Sequence, residues 1–321
     1  IQSIIMSVAL IVVLIFGVET AGGIGAVIHN ASELPGYLSM TLSYDVNTGK
    51  AAPYSALTIV STAAWGLGYF GMPHILLRFM AIEDEKKLKL SRRVATIWVV
   101  ISLFVAVFIG VIGYTMSKVG ALEMLTGSNS ETIIVKISAL LSQHGVIFAL
   151  LAGVILAGIL ASTMSTSDSQ LLAASSAVSS DILGAFRKDS SNKNGSMAAA
   201  RITLLVISVV AAFIARNPDS SVFAIVSFAW AGFGAAFGPV VLFSLFWKRT
   251  NKWGALAGMV CGGSMVFIWK YLIRPLGGIW NIYELLPAFL IACAAIVIVS
   301  LLTPKPSKEI EEEFDRVAQM K

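Results

Sequence analysis

The sequence predicts an all-α protein that crosses a membrane several times, and three observations carry that prediction. Hydrophobic residues make up 57% of the chain and charged residues only 13%, with a mean hydropathy of +0.83, values foreign to an ordinary soluble domain. The apolar residues gather in runs of about 20, the length a helix needs to cross about 30 Å of hydrocarbon. Lys and Arg fall between those runs rather than on one soluble face. The net charge of +5 therefore reads as membrane topology, and no nucleic-acid partner is expected.

In order, the runs fall at 3–29, 54–79, 93–116, 145–182, 200–215, 221–247, 254–273 and 282–303, which predicts eight helices. The first lacks an initiator Met, a basic start and a cleavage site, and carries no charge before Glu19. The chain is thus expected to begin inside a membrane helix and to be part of a longer protein. Glu19 reads as interfacial. The fourth run is longer than a span needs, so one end is expected to project from the hydrocarbon. The fifth is short, and Asn217, Pro218 and Asp219 mark its end.

Of the 23 Lys and Arg residues, 17 lie in 78–93, 183–201, 247–252 and 304–321, and six lie in the alternate segments 30–52, 117–142, 215–220 and 270–281. The asymmetry places the first set in the cytoplasm. It divides the chain into a transmembrane domain, 1–303, and a cytoplasmic tail, 304–321. Residues 30–52, with Pro35, Gly36 and Gly49, read as an irregular outer loop. Residues 117–144 hold a short helical pattern at 133–141 that would cap the outer face. The acidic tail around 309–317 reads as a solubilising surface helix. Cys261 and Cys293 lie in apolar runs and the three histidines are scattered, which excludes a disulfide framework and zinc spacing.

Three stretches stand out within the spans. The first is Trp65-Gly66-Leu67-Gly68-Tyr69-Phe70-Gly71-Met72-Pro73-His74. Each Gly costs a helix interior about 1 kcal/mol relative to Ala and Pro about 3. Freed backbone groups inside a bilayer are tolerated only where protein or a wet cavity satisfies them. Two readings stand open: a broken helix with a Trp and a Tyr at a midplane substrate site, or a proline kink that packs against a neighbour. The second stretch, 161–170, sets Ser162, Ser165, Thr166 and Ser169 at i, i+3, i+4 and i+7 on one helix face. Neutral hydroxyl oxygens suit a hard monovalent cation such as sodium, and they also suit interhelical packing. Asp168 beside them is costly inside a span and makes, with Ser169, a candidate second cation or proton site. The third, SFAWAGFGAAFGP at 227–239, reads as close helix packing or as a hinge. No Ser-His-Asp set, carboxylate pair or phosphate-cradling loop can be assembled, so an enzyme is not expected.

The blocks WGLGYFGMPHILLRFM (65–80), ILASTMSTSDSQLLAASS (159–176) and SFAWAGFGAAFGPVVLFSLFWKRTNKWGALAGM (227–259) resemble, in order, the solute:sodium symporter family, and within it the proline-transporting branch. The resemblance implies a leucine-transporter-type inverted repeat of five plus five helices, with one helix before it and two after. On that alignment the chain is partial. It starts at the fifth core helix, carries the second repeat and the two trailing helices, and lacks the first four. It also implies that Trp65, Tyr69 and Pro73 line the substrate site on an unwound core helix. Ser165 and Thr166 match the sodium-site hydroxyls, and Ser162 falls where the family often has Ala contributing a backbone carbonyl. Part of both sites comes from the first core helix in the family, so this chain alone should not transport. The implied activity is symport of L-proline with Na+ into the cell by alternating access, at the plasma membrane, with sodium as coupling ion and no enzymatic cofactor. The alternatives are a symporter of the same fold for another amino acid, pantothenate or a sugar, and a membrane sensor or scaffold that does not transport.

Overall fold

The computed structural model describes residues 2–84, 86–182, 193–217 and 221–319. Pro218 and Asp219, the expected stop of the fifth run, lie outside the described residues, as does 183–192 of the second basic segment. Two compact units emerge: Ile1–Ala52 with Ile82–Val222, and Pro53–Ala81 with Phe223–Lys321.

Unit one opens with α1 (Gln2–Thr20) and α2 (Ile24–Ser32). The first apolar run is thus a bent pair rather than one helix. Gly22 and Gly23 take φ of 88° and 94°, backbone open to Gly at little cost, and the axis turns by 77°. The expected irregular loop at 30–52 contains a hairpin instead, β1 (Leu42–Asp45) and β2 (Lys50–Pro53). Its turn is built by Asp45, whose Oδ1 accepts from the Asn47 N–H at 2.9 Å and whose Oδ2 accepts from Thr48 Oγ1 at 2.9 Å. Gly49 completes it at φ 66°. The Asn47 backbone N–H, with Thr48, holds the Asp45 carboxyl below its ordinary range.

Three further helices follow in this unit, α5 (Lys87–Lys118), α6 (Ile133–Leu141) and α7 (Val146–Ser176), and then α8 (Lys193–Ile214). The short helix expected at 133–141 is present as α6, and it buries Ile137, Ser138 and Leu141. Together with Val13 of α1, Ile109, Ile112 and Met116 of α5, and Ile155 of α7, it forms one apolar core. Gly17 lets α1 approach α5, since a Cβ there would stand 2.7 Å from Ile112 Cγ2. Beyond Ser176, α7 loosens into π-turns over Ala177–Ile182.

Unit two begins with the run 54–79, which is not one helix. It consists of α3 (Ala56–Ala63), a 3₁₀ segment (Ala64–Gly71) and α4 (Pro73–Met80). The long helices of this unit are α9 (Val222–Phe246), α10 (Lys252–Ile268) and α11 (Leu285–Leu302), and α12 (Lys308–Gln319) forms the tail. Gly254, Gly258 and Gly262 make one stripe on α10. A Cβ at these positions would come within 1.9 Å of Ser300 Oγ, 2.4 Å of Ile296 Cγ1 and 2.2 Å of the Ala235 carbonyl oxygen, respectively. Small residues at this spacing let helix backbones meet where hydrocarbon supplies no hydrophobic drive. Asn251 locks the start of α10 to the end of α11. Its Oδ1 accepts from the Gly254 N–H at 2.9 Å, and its Nδ2 donates to Thr303 Oγ1 at 2.7 Å and to the Pro304 carbonyl at 2.8 Å. The tail helix is tied back through Lys248 and Asp315, 2.6 Å apart.

Among the described residues six single helices are long and apolar enough to span a membrane, and the bent α1–α2 pair makes a seventh. No more than a third of each of the six apolar windows is buried within the chain. The chain is a multi-pass membrane protein.

Near the end of α5, Lys118 donates to Glu33, and His29 lies 3.3 Å from the same carboxylate. The Lys118 ammonium holds the Glu33 carboxyl below its ordinary value. A carboxyl whose folded pKa is depressed contributes stability that is present above its unfolded pKa and lost as pH falls through the folded one. We therefore expect the thermal midpoint of the purified protein to fall more steeply below pH 4.5 in the native protein than in Glu33→Gln, measured by scanning fluorimetry across that range.

Candidate substrate and cation sites

The break in the second run follows from its glycines. Eight residues of 3₁₀ helix exceed the usual three or four and mark strain or function. Gly68 and Gly71 are buried against α9. A Cβ on Gly68 would lie 1.9 Å from Trp230 Nε1, and one on Gly71 would lie 2.2 Å from the Phe233 carbonyl oxygen. From the other side, a Cβ on Gly234 would reach Gly68 Cα at 2.7 Å. The two backbones are in direct contact. Met72 is extended at φ −80° and ψ 114°, as the residue before proline prefers, and Pro73 restarts the helix at its first turn.

Around this contact stands an aromatic cluster. The Trp65 ring stacks on Phe223, Trp230 and Tyr283 at centroid distances of 5.4, 5.7 and 5.8 Å. Trp230 Nε1 donates to the Trp65 carbonyl at 2.9 Å, so the indole satisfies a backbone group near the break. Tyr69 sets its ring edge-on to Trp230 at 4.8 Å and remains 51% exposed. The structure thus brings Trp65 and Tyr69 together through Trp230. It gives Trp65 a packed ring and Tyr69 an open one, and it gives Pro73 the role of helix start. Both features of the two open readings are present, a broken helix with a Trp and a Tyr at the break and close packing of that break against α9.

On α7, Ser165, Thr166 and Asp168 are exposed, while Ser162 and Ser169 are half-buried. Thr166 Oγ1 donates to the Ser162 carbonyl at 3.3 Å, and Ser169 Oγ donates to the Ser165 carbonyl at 2.9 Å. Back-bonding of this kind is common for helical Ser and Thr. It commits the hydroxyl proton to the helix and leaves the oxygen lone pairs facing outward, the polarity a cation requires. Within unit one neither Ser165 nor Thr166 is buried in a helix contact.

Comparison with known proteins bears on what this geometry serves. Residues 1–262 match the Sodium:solute symporter family. The chain belongs to that family. It is 37% identical over 308 residues to the osmoregulated proline transporter OpuE of Bacillus subtilis, covering 96% of this chain and 59% of the relative. It is 41% identical over 262 residues to a sodium/proline symporter of Haemophilus influenzae, covering 81% of this chain and 51% of that protein. With the high-affinity proline transporter PutP of Bacillus subtilis the identity is 37% over 317 residues, covering 98% of this chain and 62% of the relative. The chain spans between half and two thirds of the length of these relatives. They are transporters by name.

Two members of the cluster, Trp230 and Tyr283, escape a reading of the sequence. Trp230 lies in the small-residue run of α9, where packing explains the composition, and Tyr283 lies at the edge of an apolar run with no motif. The one available signal was that an indole in a glycine-rich helix needs an acceptor. The glycine contacts make a direct prediction. Gly71→Ala should lower thermal stability by about 1–3 kcal/mol, the usual cost of overpacking. Gly66→Ala should be near neutral, because no atom lies within 4 Å of the added carbon. Thermal shift in detergent measures both.

Proposed function

We propose that this protein works as a sodium-coupled L-proline symporter of the plasma membrane, by alternating access. Residues 1–303 form its transporter domain, and 304–321 a tail in the cytoplasm. The observation that carries the reading is the broken segment with the open Tyr69 ring beside packed Trp65, in a chain whose relatives include named proline transporters. A pyrrolidine ring is apolar and saturated, and an aromatic face encloses it without a polar partner. The zwitterion meets the backbone groups freed at the break. Pro73 keeps those groups free, because it cannot donate to the preceding turn.

Sodium is held by the Ser165 and Thr166 hydroxyls, with Ser162 contributing its carbonyl. Asp168 and Ser169, one turn further along, offer a second cation or proton site. Sodium binding favours the state in which the substrate pocket is formed, so each solute raises the affinity for the other. At about −100 mV each charge carried inward contributes about 2.3 kcal/mol to accumulation. The excess of Lys and Arg in 78–93, 183–201, 247–252 and 304–321 supports a cytoplasmic tail.

The test is uptake of labelled proline into proteoliposomes carrying the full-length protein, with and without an inward sodium gradient. Uptake should require sodium, and Thr166→Ala should raise the sodium concentration for half-maximal uptake at least about tenfold, the loss of one charge-assisted contact. Sodium-driven uptake of a different solute would discard proline and keep the coupling. Uptake indifferent to sodium in both proteins would return Ser165 and Thr166 to helix packing.

A further inference from the structure

Trp65 is held by its carbonyl and by its ring, and the ring's support comes from an unexpected place. Tyr283 lies in the connection between α10 and α11, two residues before α11 begins. It is only 9% exposed and it makes three contacts. Its ring stacks on Trp65 at 5.8 Å with planes 17° apart. Its hydroxyl donates to the Ser227 carbonyl of α9 at 2.6 Å. Its backbone N–H donates to Ser61 Oγ of α3 at 3.1 Å. Ser61 stands just before the break, and Ser227 stands three residues before Trp230, whose indole N–H holds the Trp65 carbonyl.

These contacts close a circuit. From Trp65 it runs through Trp230 to α9, from α9 at Ser227 to Tyr283, and from Tyr283 back to the Trp65 ring. Its members come from three separate stretches of chain, so no local propensity assembles it. The segment after Tyr283 is itself anchored. Glu284 is buried and accepts from Arg274 Nη1 at 2.8 Å, and Arg274 Nε donates to Asn281 at 3.0 Å. A buried carboxylate with a charged partner holds its position firmly, because removal of that partner would leave an uncompensated charge. Tyr283 is therefore presented by a fixed support.

We propose that Tyr283 is a positioning residue for the substrate site: it sets the angle of the Trp65 ring, and with it the break beside Tyr69, from a helix connection outside the broken segment. The inference rests on the reading of Trp65 and Tyr69 as the substrate-binding aromatics. The hydroxyl bond to Ser227 anchors the far end of the phenol to α9, and the stacked ring passes that placement to the indole. Tyr283→Phe keeps the ring and removes only that bond. Tyr283→Leu removes the stack as well.

The experiment is a double-mutant cycle with a transport-independent control. In full-length protein, Tyr283→Phe should raise the KM for proline about fivefold, the worth of one hydrogen bond, with the maximal rate within twofold. Tyr283→Leu should raise it further. In a Trp65→Phe background the Tyr283→Phe effect should shrink to less than twofold, because contacting residues that act as a unit do not add. An undiminished effect in that background, or a loss of maximal rate with unchanged KM, would overturn the proposal. The control uses Tyr69→Cys in protein lacking its other cysteines. Its labelling by N-ethylmaleimide should quicken at least threefold when Tyr283→Phe is added. Unchanged labelling overturns the positioning role whatever the substrate proves to be. If native protein shows no sodium-driven proline uptake while labelling responds as expected, the functional reading fails and the positioning stands.

Discussion

The backbone contact between the 3₁₀ segment and α9 is the constraint on which the second unit depends. A side chain at Gly71 or Gly234 would strike the opposing backbone, one at Gly68 would strike the Trp230 indole, and one at Gly238 would strike the Phe289 ring at 2.8 Å. The glycines that permit this approach also make an α-helix costly here, by about 1 kcal/mol each relative to Ala. The segment tightens into 3₁₀ geometry, and the groups freed at the break need partners. A buried backbone acceptor left alone costs about 1–3 kcal/mol. Trp230 removes one such cost by giving its indole proton to Trp65. The same glycines thus weaken the helix and admit the close approach that fixes the indole, while Tyr69 stays exposed.

Unit one solves a similar problem with different chemistry. Its bend between α1 and α2 comes from two consecutive glycines in left-handed backbone, not from a close contact, since nothing within 4 Å would oppose a Cβ at Gly23. Its polar face comes from hydroxyls rather than from broken backbone. On α7 the helix stays intact, and the Thr166 and Ser169 hydroxyls donate to carbonyls one turn back. A helix can therefore offer oxygen lone pairs without losing its own hydrogen bonds. That arrangement suits a small cation, whereas a zwitterion needs donors and acceptors together. The broken segment supplies both.

The helices α10 and α11 serve as a frame for the broken segment. Their glycine stripe brings them together along Ile296 and Ser300. Asn251 ties one end, and the Arg274–Glu284 pair ties the other. Leu285, Ala288 and Phe289 of α11 then complete the buried cluster around Ala64, Ala231 and Ala235. A frame of this stiffness can hold an aromatic side chain at a set angle, which the hydrocarbon of a bilayer cannot do.

The amino-acid sequence by itself determined the membrane class, the runs that become helices, α6 at 133–141, the tail helix and the place where the second run breaks. Each rests on composition, period or local backbone cost, which neighbours in sequence decide. The hydroxyl seam was legible for the same reason, because i, i+3, i+4 and i+7 fall on one face of any helix. The tertiary structure alone decided what those features meet. The first run was continuous by hydropathy, yet two adjacent glycines bend it. The loop at 30–52 forms a hairpin through the Asp45 side chain, and no alternation in its strands announced it. Above all, Trp65, Trp230 and Tyr283 are separated by 165 residues on one side and 53 on the other. Stacking and hydrogen bonding act over a few ångströms of space, and only the fold of unit two brings those three rings within that range.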